Sequence, residues 1–300
     1  MKNYDFLITA SLLALLAALP LTTAQATEGG GDNIGKGSEG FAAGMVPDKA
    51  GWYGVAYMNS YHASRFNDGR KQDSVPGFEL DANVFAGRLL YMSDLRMFGG
   101  RLGGFAILPM AHLELNEAES GARRTSFGDV TVGPVLGWDI GNFHPSVAAD
   151  LVLPTGSYRA DRALNTGGNV YSFRPIFAFT YLQPGAIEVS SKITYTFNGR
   201  NSNTDYRSGQ LFHMDYSVSY PVTDKLRLGA NGYLLKQTTD DRQRGEAVNG
   251  DGFRGQVFAI GPMAHYQMGS IGLDLKLVKE FEAKNRAEGT SFWARAVMPF

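Results

Sequence analysis

The sequence predicts an all-β fold, a transmembrane antiparallel up-and-down β-barrel of about 12 strands preceded by a short Gly-rich segment. Three observations lead to this prediction. From Gly51 onward, apolar and polar residues alternate with period 2, as in strands that have two different faces. After residue 26, no apolar run reaches the length of a membrane helix. Short and long connections alternate between the predicted strands. A chain that spans a membrane without helices does so as a closed barrel.

The first 26 residues have the pattern of an export signal. Lys2 opens a short polar start, Phe6–Leu19 is almost wholly apolar, and Ala24-Gln25-Ala26 supplies a cleavage site of small residues. We therefore expect residues 1–26 to be a signal peptide and the mature chain to begin near Thr27.

The next segment, residues 27–50, is rich in glycine and shows no usable periodicity. Two interpretations stay open at this point. It is either a flexible periplasmic lead-in or a plug folded into the mouth of the barrel. Residues 51–300 then form the predicted barrel domain.

Twelve strands follow from Gly51 to the last residue, and their even number returns both ends of the chain to one side of the membrane. The first ten are Trp52–Tyr61, Phe78–Leu90, Arg101–Leu113, Phe127–Trp138, Phe143–Leu153, Val170–Leu182, Ala186–Phe197, Gln210–Tyr220, Leu226–Lys236 and Arg254–Gln267. A closing hairpin spans Ser270–Phe300, with the charged segment Glu280–Gly289 as its turn.

Short and long connections alternate along the chain. The short ones are Asp139–Asn142, Gln183–Gly185, Pro221–Lys225 and Met268–Ser270, with Ser93–Gly100 somewhat longer. The long polar ones are Arg65–Gly77, Asn116–Ser126, Thr155–Asn169, Asn198–Gly209, Thr238–Phe253 and Glu282–Thr290. Periplasmic turns and extracellular loops produce this alternation. A soluble β-sandwich, the alternative with the same strand pattern, has no reason to produce it.

In a membrane barrel, the apolar face of each strand meets lipid and the polar face lines the lumen. In the first strand, Tyr53, Val55, Tyr57 and Tyr61 would therefore face lipid. The predicted lumen-lining residues are Glu79, Asp81, Arg88, Asp129, Asp150, Arg174, Glu188, Lys192, His213, Asp215, Arg227, Asn231, Asp274, Lys276 and Arg295. They form either a space-filling network of ion pairs or a set of groups that contact a passing solute. Because a barrel of this size has a narrow lumen, a selective conduit is favoured over a general pore.

The chain ends on a strand that places Phe292, Met298 and the terminal Phe300 on one apolar face. This ending resembles the closing strand of bacterial outer-membrane barrels. The resemblance implies recognition by the barrel-assembly machinery and a location in the bacterial outer membrane, with its lipid and lipopolysaccharide as partners.

Composition excludes several other functions. The net charge of −1 gives no basic face for nucleic acid. The absence of cysteine excludes disulfides and thiolate chemistry, and the five histidines are too scattered for a metal site. We expect no cofactor and no metal.

Three motifs carry a family resemblance: Phe127–Pro134 (FGDVTVGP), Leu153–Tyr158 (LPTGSY) and Lys279–Gly289 (KEFEAKNRAEG). In this order they resemble the family of outer-membrane transporters named for the meta-cleavage pathway of phenol degradation, barrels often likened to long-chain fatty-acid transporters. The resemblance implies passage of small hydrophobic, often aromatic, compounds into the periplasm, but it carries over no agreed binding site. The solute would leave through the lumen or sideways through a strand gap, for which Gly103-Gly104 is a candidate.

Two rival functions stay open. His144 and Ser146 share a strand face and could form a nucleophile–base pair, as in an outer-membrane lipid hydrolase, but the strand phase predicts that they face the lumen. Alternatively, the long loops Thr155–Asn169 and Thr238–Phe253 could make the protein a structural or adhesive barrel that binds a surface partner.

Overall fold

The computed structural model describes Glu28, residues 33–117 and residues 120–299. The predicted signal peptide, residues 1–26, and the terminal Phe300 lie outside these ranges. Among the described residues, no helix is long and apolar enough to cross a membrane.

Twelve antiparallel strands form one sheet that closes on itself, as predicted. They are β1 Gly51–Asn67, β2 Glu79–Met97, β3 Gly100–Glu117, β4 in two segments Ser120–Phe127 and Thr131–Gly137, β5 Phe143–Val152, β6 Ser172–Leu182, β7 Glu188–Asn198, β8 Leu211–Pro221, β9 Leu226–Gln237, β10 Gln256–Met268, β11 Ile271–Lys284 and β12 Arg286–Pro299. Each strand pairs with its neighbours in sequence, and β1 pairs with β12 from Tyr53↔Pro299 to Asn67↔Arg286. Closure leaves the sheet without a free edge.

Short turns occupy the end of the barrel at which β1 begins and β12 ends. Between β2 and β3 the turn is only Phe98-Gly99, and both residues have positive φ, 51° and 79°. Two such residues are typical of a type I′ hairpin, whose twist matches that of the flanking strands. The alternation of short and long connections therefore holds at this end.

Two of the predicted long loops, Asn116–Ser126 and Glu282–Thr290, are instead continuous hairpins. β3 runs to Glu117 and β4 starts at Ser120, with Glu114 directly opposite Arg123. β11 runs to Lys284, and β12 starts two residues later. The polar residues there continue the strands, and in the β3–β4 hairpin the opposite charges of Glu114 and Arg123 face each other across the pair, an arrangement that stabilises antiparallel strands.

The remaining long connections fold over the outer end. The loops after β7 and β9 form a small sheet of Tyr206–Arg207, Arg242–Gln243 and Glu246–Ala247. The carboxylate of Asp241 accepts hydrogen bonds from the Tyr206 hydroxyl (2.6 Å) and from Gln237 Nε2 (2.7 Å). Burial, together with this carboxylate, raises the pKa of Tyr206. These loops are therefore ordered rather than freely solvated.

The loop of residues 153–171, called here the inward loop, is held by Asp129 in the break between the two segments of β4. The Asp129 carboxylate accepts hydrogen bonds from the backbone N–H groups of Gly156 (2.8 Å) and Gly168 (2.7 Å). Two of the sequence motifs, Phe127–Pro134 and Leu153–Tyr158, thus meet at this contact. Asp129 is buried as expected of a lumenal residue, and its geometry makes it an anchor for the loop.

Strands β6 to β8 and β12 have the predicted faces. Phe173, Phe177 and Tyr181 of β6 are exposed on the outer surface, whereas Arg174 and Thr180 are buried inside. The outer surface of these strands is thus the apolar, aromatic one that lipid requires.

Strand β1 and the first residues of β2, Glu79–Val84, have the opposite polarity, and here the predicted assignment is wrong. Tyr53, Val55, Tyr57 and Tyr61 face the inside of the barrel, and Val55 and Tyr57 are buried there. The outward residues of β1 include Trp52 and Met58 instead. The physical reason is that different parts of the molecule fill the two sides of the lumen.

Candidate functional site

Residues 33–46, called here the plug, lie inside the barrel. The carboxylate of Asp215 accepts hydrogen bonds from the backbone N–H groups of Gly37 (2.8 Å) and Glu39 (3.2 Å). On the other side, the Lys276 ammonium donates to the carbonyl oxygens of Gly37 (2.6 Å), Ser38 (2.7 Å) and Glu39 (3.0 Å). The lumen thus supplies the hydrogen-bond partners that an irregular buried backbone needs.

Glu39 is the centre of this contact. Its carboxylate accepts hydrogen bonds from Arg295 and from the Tyr57 hydroxyl (3.2 Å), and it lies 3.8 Å from Arg88 and 3.9 Å from Lys192. Burial alone would raise the pKa of this carboxyl, but the surrounding cations lower its pKa to about 2. Glu39, which belongs to the plug and not to a strand, is therefore an ionised anchor in the lumen.

The lower part of the plug is fixed by shape as well as by hydrogen bonds. Gly44 donates its N–H to Thr180 Oγ1 (3.0 Å), and a Cβ atom at Gly44 would lie 2.4 Å from the backbone of His144 and Phe179. The Phe41 ring stacks on His265 with a centroid distance of 4.0 Å. Only glycine fits at position 44 with the plug in place.

The upper end of the segment reaches the outer loops. The Glu28 carboxylate accepts hydrogen bonds from Asn201 Nδ2 (2.8 Å), from the Tyr158 hydroxyl (3.2 Å) and from Thr204 Oγ1. Glu28 therefore lies at the outer loops, residues 33–46 lie in the lumen, and β1 starts at the opposite end. Of the two interpretations left open for residues 27–50, the described part has the geometry of a plug.

Most of the predicted lumen-lining residues surround the plug. They contact it directly or contact a side chain that does. Those that contact plug atoms are Arg88, Arg174, Glu188, Lys192, Arg227, Asp215, Lys276 and Arg295. Asp274 binds Arg295 Nε (2.6 Å), His213 Nε2 lies 3.0 Å from Asp215, and Asp150 lies 4.0 Å from Arg174. Asn231 donates to the backbone oxygens of residues 261 and 262.

The predicted lumenal position of Glu79 and Asp81 is wrong. Both side chains lie on the outer surface of β2, and the Asp81 carboxylate lies 2.8 Å from His62 Nδ1. Their neighbours Leu80 and Ala82 face the lumen instead. Glu79 is exposed and Asp81 is partly exposed at the outer end of β2, where water can solvate polar side chains.

A cavity of about 420 Å³ lies between the plug, the inward loop and the wall of the barrel. Its apolar wall comes from β2, β3 and the loop before β2, and includes Phe78, Leu80, Val84, Ile107, Leu113 and Leu115. Its polar wall includes Asp150, Arg174, Lys192, Thr194 and His213. This division accounts for the reversed face at the start of β2, where Leu80 and Val84 border the cavity, whereas β1 places the Tyr57 hydroxyl against Glu39 of the plug. The plug backbone needs polar partners on one side of the lumen, whereas the other side borders a cavity.

Sequence reasoning missed Glu39 and the apolar wall. One signal for Glu39 was present, because it is the single acidic residue between Asn33 and Pro47. No comparable signal marked the wall, since alternation defines two faces without saying which is inside.

The residues considered for a lipid hydrolase and for a lateral exit of the solute have ordinary structural roles. His144 Nδ1 binds Asp139 at 2.7 Å, and Ser146 is buried. Gly103 and Gly104 are paired on both sides, with Met92 and Tyr91 of β2 and with Val135 and Pro134 of β4, so the candidate gap does not open at these residues; the β2–β3 register shifts only beyond Gly103, between Met92 and Arg96. In the part of the chain that the structure describes, no group of His, Cys, Asp and Glu residues could hold a metal ion.

A closed twelve-stranded barrel with an apolar outer surface, and with a lumen that holds a plug and a cavity with one polar and one apolar wall, has the architecture of an outer-membrane β-barrel of the channel class. The structure is similar to that of the COG4313 outer membrane channel from Pseudomonas putida F1, with a TM-score of 0.76, 19% identity, and coverage of 87% of this chain and 98% of that one. It is also similar to the beta domain of the Bordetella autotransporter BrkA, with a TM-score of 0.50, 11% identity, and coverage of 84% and 100%.

The chain belongs to the family described as the MetA-pathway of phenol degradation, whose model matches residues 63–296. This confirms the resemblance predicted from the three motifs. A comparison with curated protein sequences finds no match.

Proposed function

We propose that the barrel gives small hydrophobic or aromatic compounds passive, selective passage across the outer membrane into the periplasm. The observation that carries this proposal is the apolar wall of the cavity. A water-filled diffusion pore gains nothing from an inward row of Leu80, Val84, Ile107 and Leu113, whereas an apolar solute is stabilised by about 25 cal/mol for each Å² it buries.

The cavity also has a suitable size and position. At about 420 Å³ it falls within the usual range for small-molecule pockets. It is bounded above by Leu164 and its neighbours in the inward loop and below by the plug. In this proposal, a solute passes the outer loops, binds in the cavity and leaves when the plug shifts.

The surroundings of the barrel are part of the proposal. The outer surface carries exposed aromatic residues such as Phe85, Tyr91 and Tyr266, which suit contact with outer-membrane lipid. Lipopolysaccharide would meet the outer hairpins. The apolar face of Phe292 and Met298 on β12 would be recognised, with Phe300, by the barrel-assembly machinery.

The test is solute flux into liposomes that contain the purified protein, with the rate into protein-free liposomes subtracted. We expect faster uptake of small alkylbenzenes and phenols than of sugars of equal size. Val84→Asn should slow the uptake of the aromatic compounds about tenfold, because it removes about 1.5 kcal/mol of apolar contact. Asn83→Ala, on the outward face of the same strand, is the control. Equal rates for sugars and aromatic compounds would contradict the proposal and indicate a general pore.

A further inference from the structure

The polar wall of the cavity contains a pair of side chains with unused hydrogen-bonding groups. Thr194 on β7 and His213 on β8 are directly opposite each other in the antiparallel register. Both are buried, with 3% and 2% of their surface exposed, and both line the cavity. Among the described residues, neither Thr194 Oγ1 nor either ring nitrogen of His213 has a hydrogen-bond partner.

Because these groups border the cavity, a bound solute can supply the missing hydrogen bonds, and a buried polar atom without one costs about 1–3 kcal/mol. Side chains directly opposite in an antiparallel pair are about 5 Å apart at Cβ, so one small group can reach both. His213 Nε2 lies 3.0 Å from Asp215 Oδ1 without the geometry of a hydrogen bond. The ring can therefore still bond to a ligand.

Charges of both signs surround the pair, namely Asp150 and Asp215 on one hand and Lys192 and Arg174 on the other, so a solute of either charge meets repulsion as well as attraction. A carboxylate would be repelled by Asp215, which already holds two N–H groups of the plug. An ammonium would be opposed by Lys192 and Arg174, which line the same wall. A neutral hydroxyl can donate to one member of the pair and accept from the other.

We propose that Thr194 and His213 form a subsite that binds the hydroxyl group of an otherwise apolar solute, whose body lies against the wall of Leu80, Ile107 and Leu113. This inference rests on the proposed function and deepens it by naming the group that the cavity recognises. Because His213 also contacts Asp215, the subsite lies next to the residue that holds Gly37 of the plug.

The test compares two probes that differ by one methyl group, 4-ethylphenol and 4-ethylanisole. Their affinities for the protein in lipid nanodiscs are measured by calorimetry, with empty nanodiscs subtracted. We expect the wild-type protein to bind the phenol about fivefold more tightly, which is the worth of one net hydrogen bond. Thr194→Val should reduce this preference to about one, and Thr194→Ser should restore it.

Thr196 provides the matched control. It is buried on the same face of β7, its Oγ1 also has no partner among the described residues, and it does not line the cavity. Thr196→Val should leave the preference for the phenol within twofold of wild type. His213→Phe is a second variant in case Thr194→Val does not fold, as judged by heat-modifiable migration in electrophoresis.

The outcomes separate this inference from the proposed function. If wild-type protein binds both probes equally, or if Thr196→Val lowers the preference as much as Thr194→Val does, the subsite is refuted while the apolar conduit stands. If neither probe binds and no apolar solute passes into liposomes, both proposals are refuted.

Discussion

Replacing Glu39 with glutamine tests how firmly the plug is held in the lumen. Glutamine has nearly the shape of glutamate, and it can still accept the hydrogen bond of the Tyr57 hydroxyl. It lacks the charge that pairs with Arg295 and that faces Arg88 and Lys192 at 3.8 and 3.9 Å. These cations would then lie in a buried site without their counter-charge.

The magnitude follows from the removal of one partner of a buried ion pair, which costs about 3–5 kcal/mol. In this barrel the cost falls on docking of the plug, because the strands keep their ladders when the plug leaves. Taking about 3 kcal/mol, the undocked fraction should rise about a hundredfold.

The assay is limited proteolysis of the folded protein, because Lys36 lies within the plug and gives trypsin a cleavage site there. When docking is fast relative to cleavage, the rate of cleavage follows the undocked population. We therefore expect cleavage after Lys36 to accelerate about a hundredfold in Glu39→Gln, with ion conductance through planar bilayers rising in parallel.

Glu79→Gln is the matched control, since it makes the same chemical change on the exposed outer surface of β2. It should leave both the cleavage rate and the conductance unchanged. If Glu39→Gln were as resistant to trypsin as the wild type, Glu39 would not be an anchor of the plug.

Three further predictions concern the plug and the inward loop. Docking of the plug should weaken only in acid. The pKa of Glu39 is about 2 in the docked plug and 4.5 in the free group. The contribution of the Glu39 charge to docking is therefore complete above about pH 4.5 and is lost as the pH falls toward 2. Wild-type conductance should thus stay low between pH 5 and 7 and rise below about pH 4, and a rise that begins at neutral pH would contradict this assignment. Gly44→Ala should displace the plug and speed cleavage after residue 36, whereas Gly40→Ala, whose Cβ would meet only flexible side-chain atoms at 3.3 Å or more, should not; equal cleavage in both would refute the steric argument. Asp129→Asn should speed amide hydrogen exchange in the inward loop about tenfold or more, because hydrogen bonds to a charged acceptor contribute about 1.5–3 kcal/mol, and the exposed Asp161→Asn in the same loop should have no effect.

The sequence alone was sufficient to predict which side faces the lumen in strands whose two faces differ strongly in polarity. On β8, Phe212, Met214 and Tyr216 alternate with His213 and Asp215, and the structure has this alternation with the polar face inside. Period, strand number and closure could therefore be predicted, because they depend on local alternation and on the absence of membrane helices.

The direction of each face was less predictable. In β2, alternation separates Leu80 and Val84 from Glu79 and Asp81, but it cannot say which pair is inside. That depends on whether the plug or the cavity lies against the strand. The plug itself is bound through Asp215 and Lys276, which are more than 170 residues away in sequence, so its glycine-rich pattern could not reveal the contact.

The path of the N-terminal segment constrains the order of assembly. Glu28 is hydrogen-bonded by loops at one end of the barrel, β1 starts at the other end, and residues 33–46 lie in the lumen between them, which favours docking of these residues before β1 meets β12. If β1 paired with β12 first, the N-terminal segment would have to enter the closed barrel and pass along its whole length. The simplest sequence of events therefore lays residues 33–46 along the open sheet, with Asp215 and Lys276 as docking points, before the last seam forms.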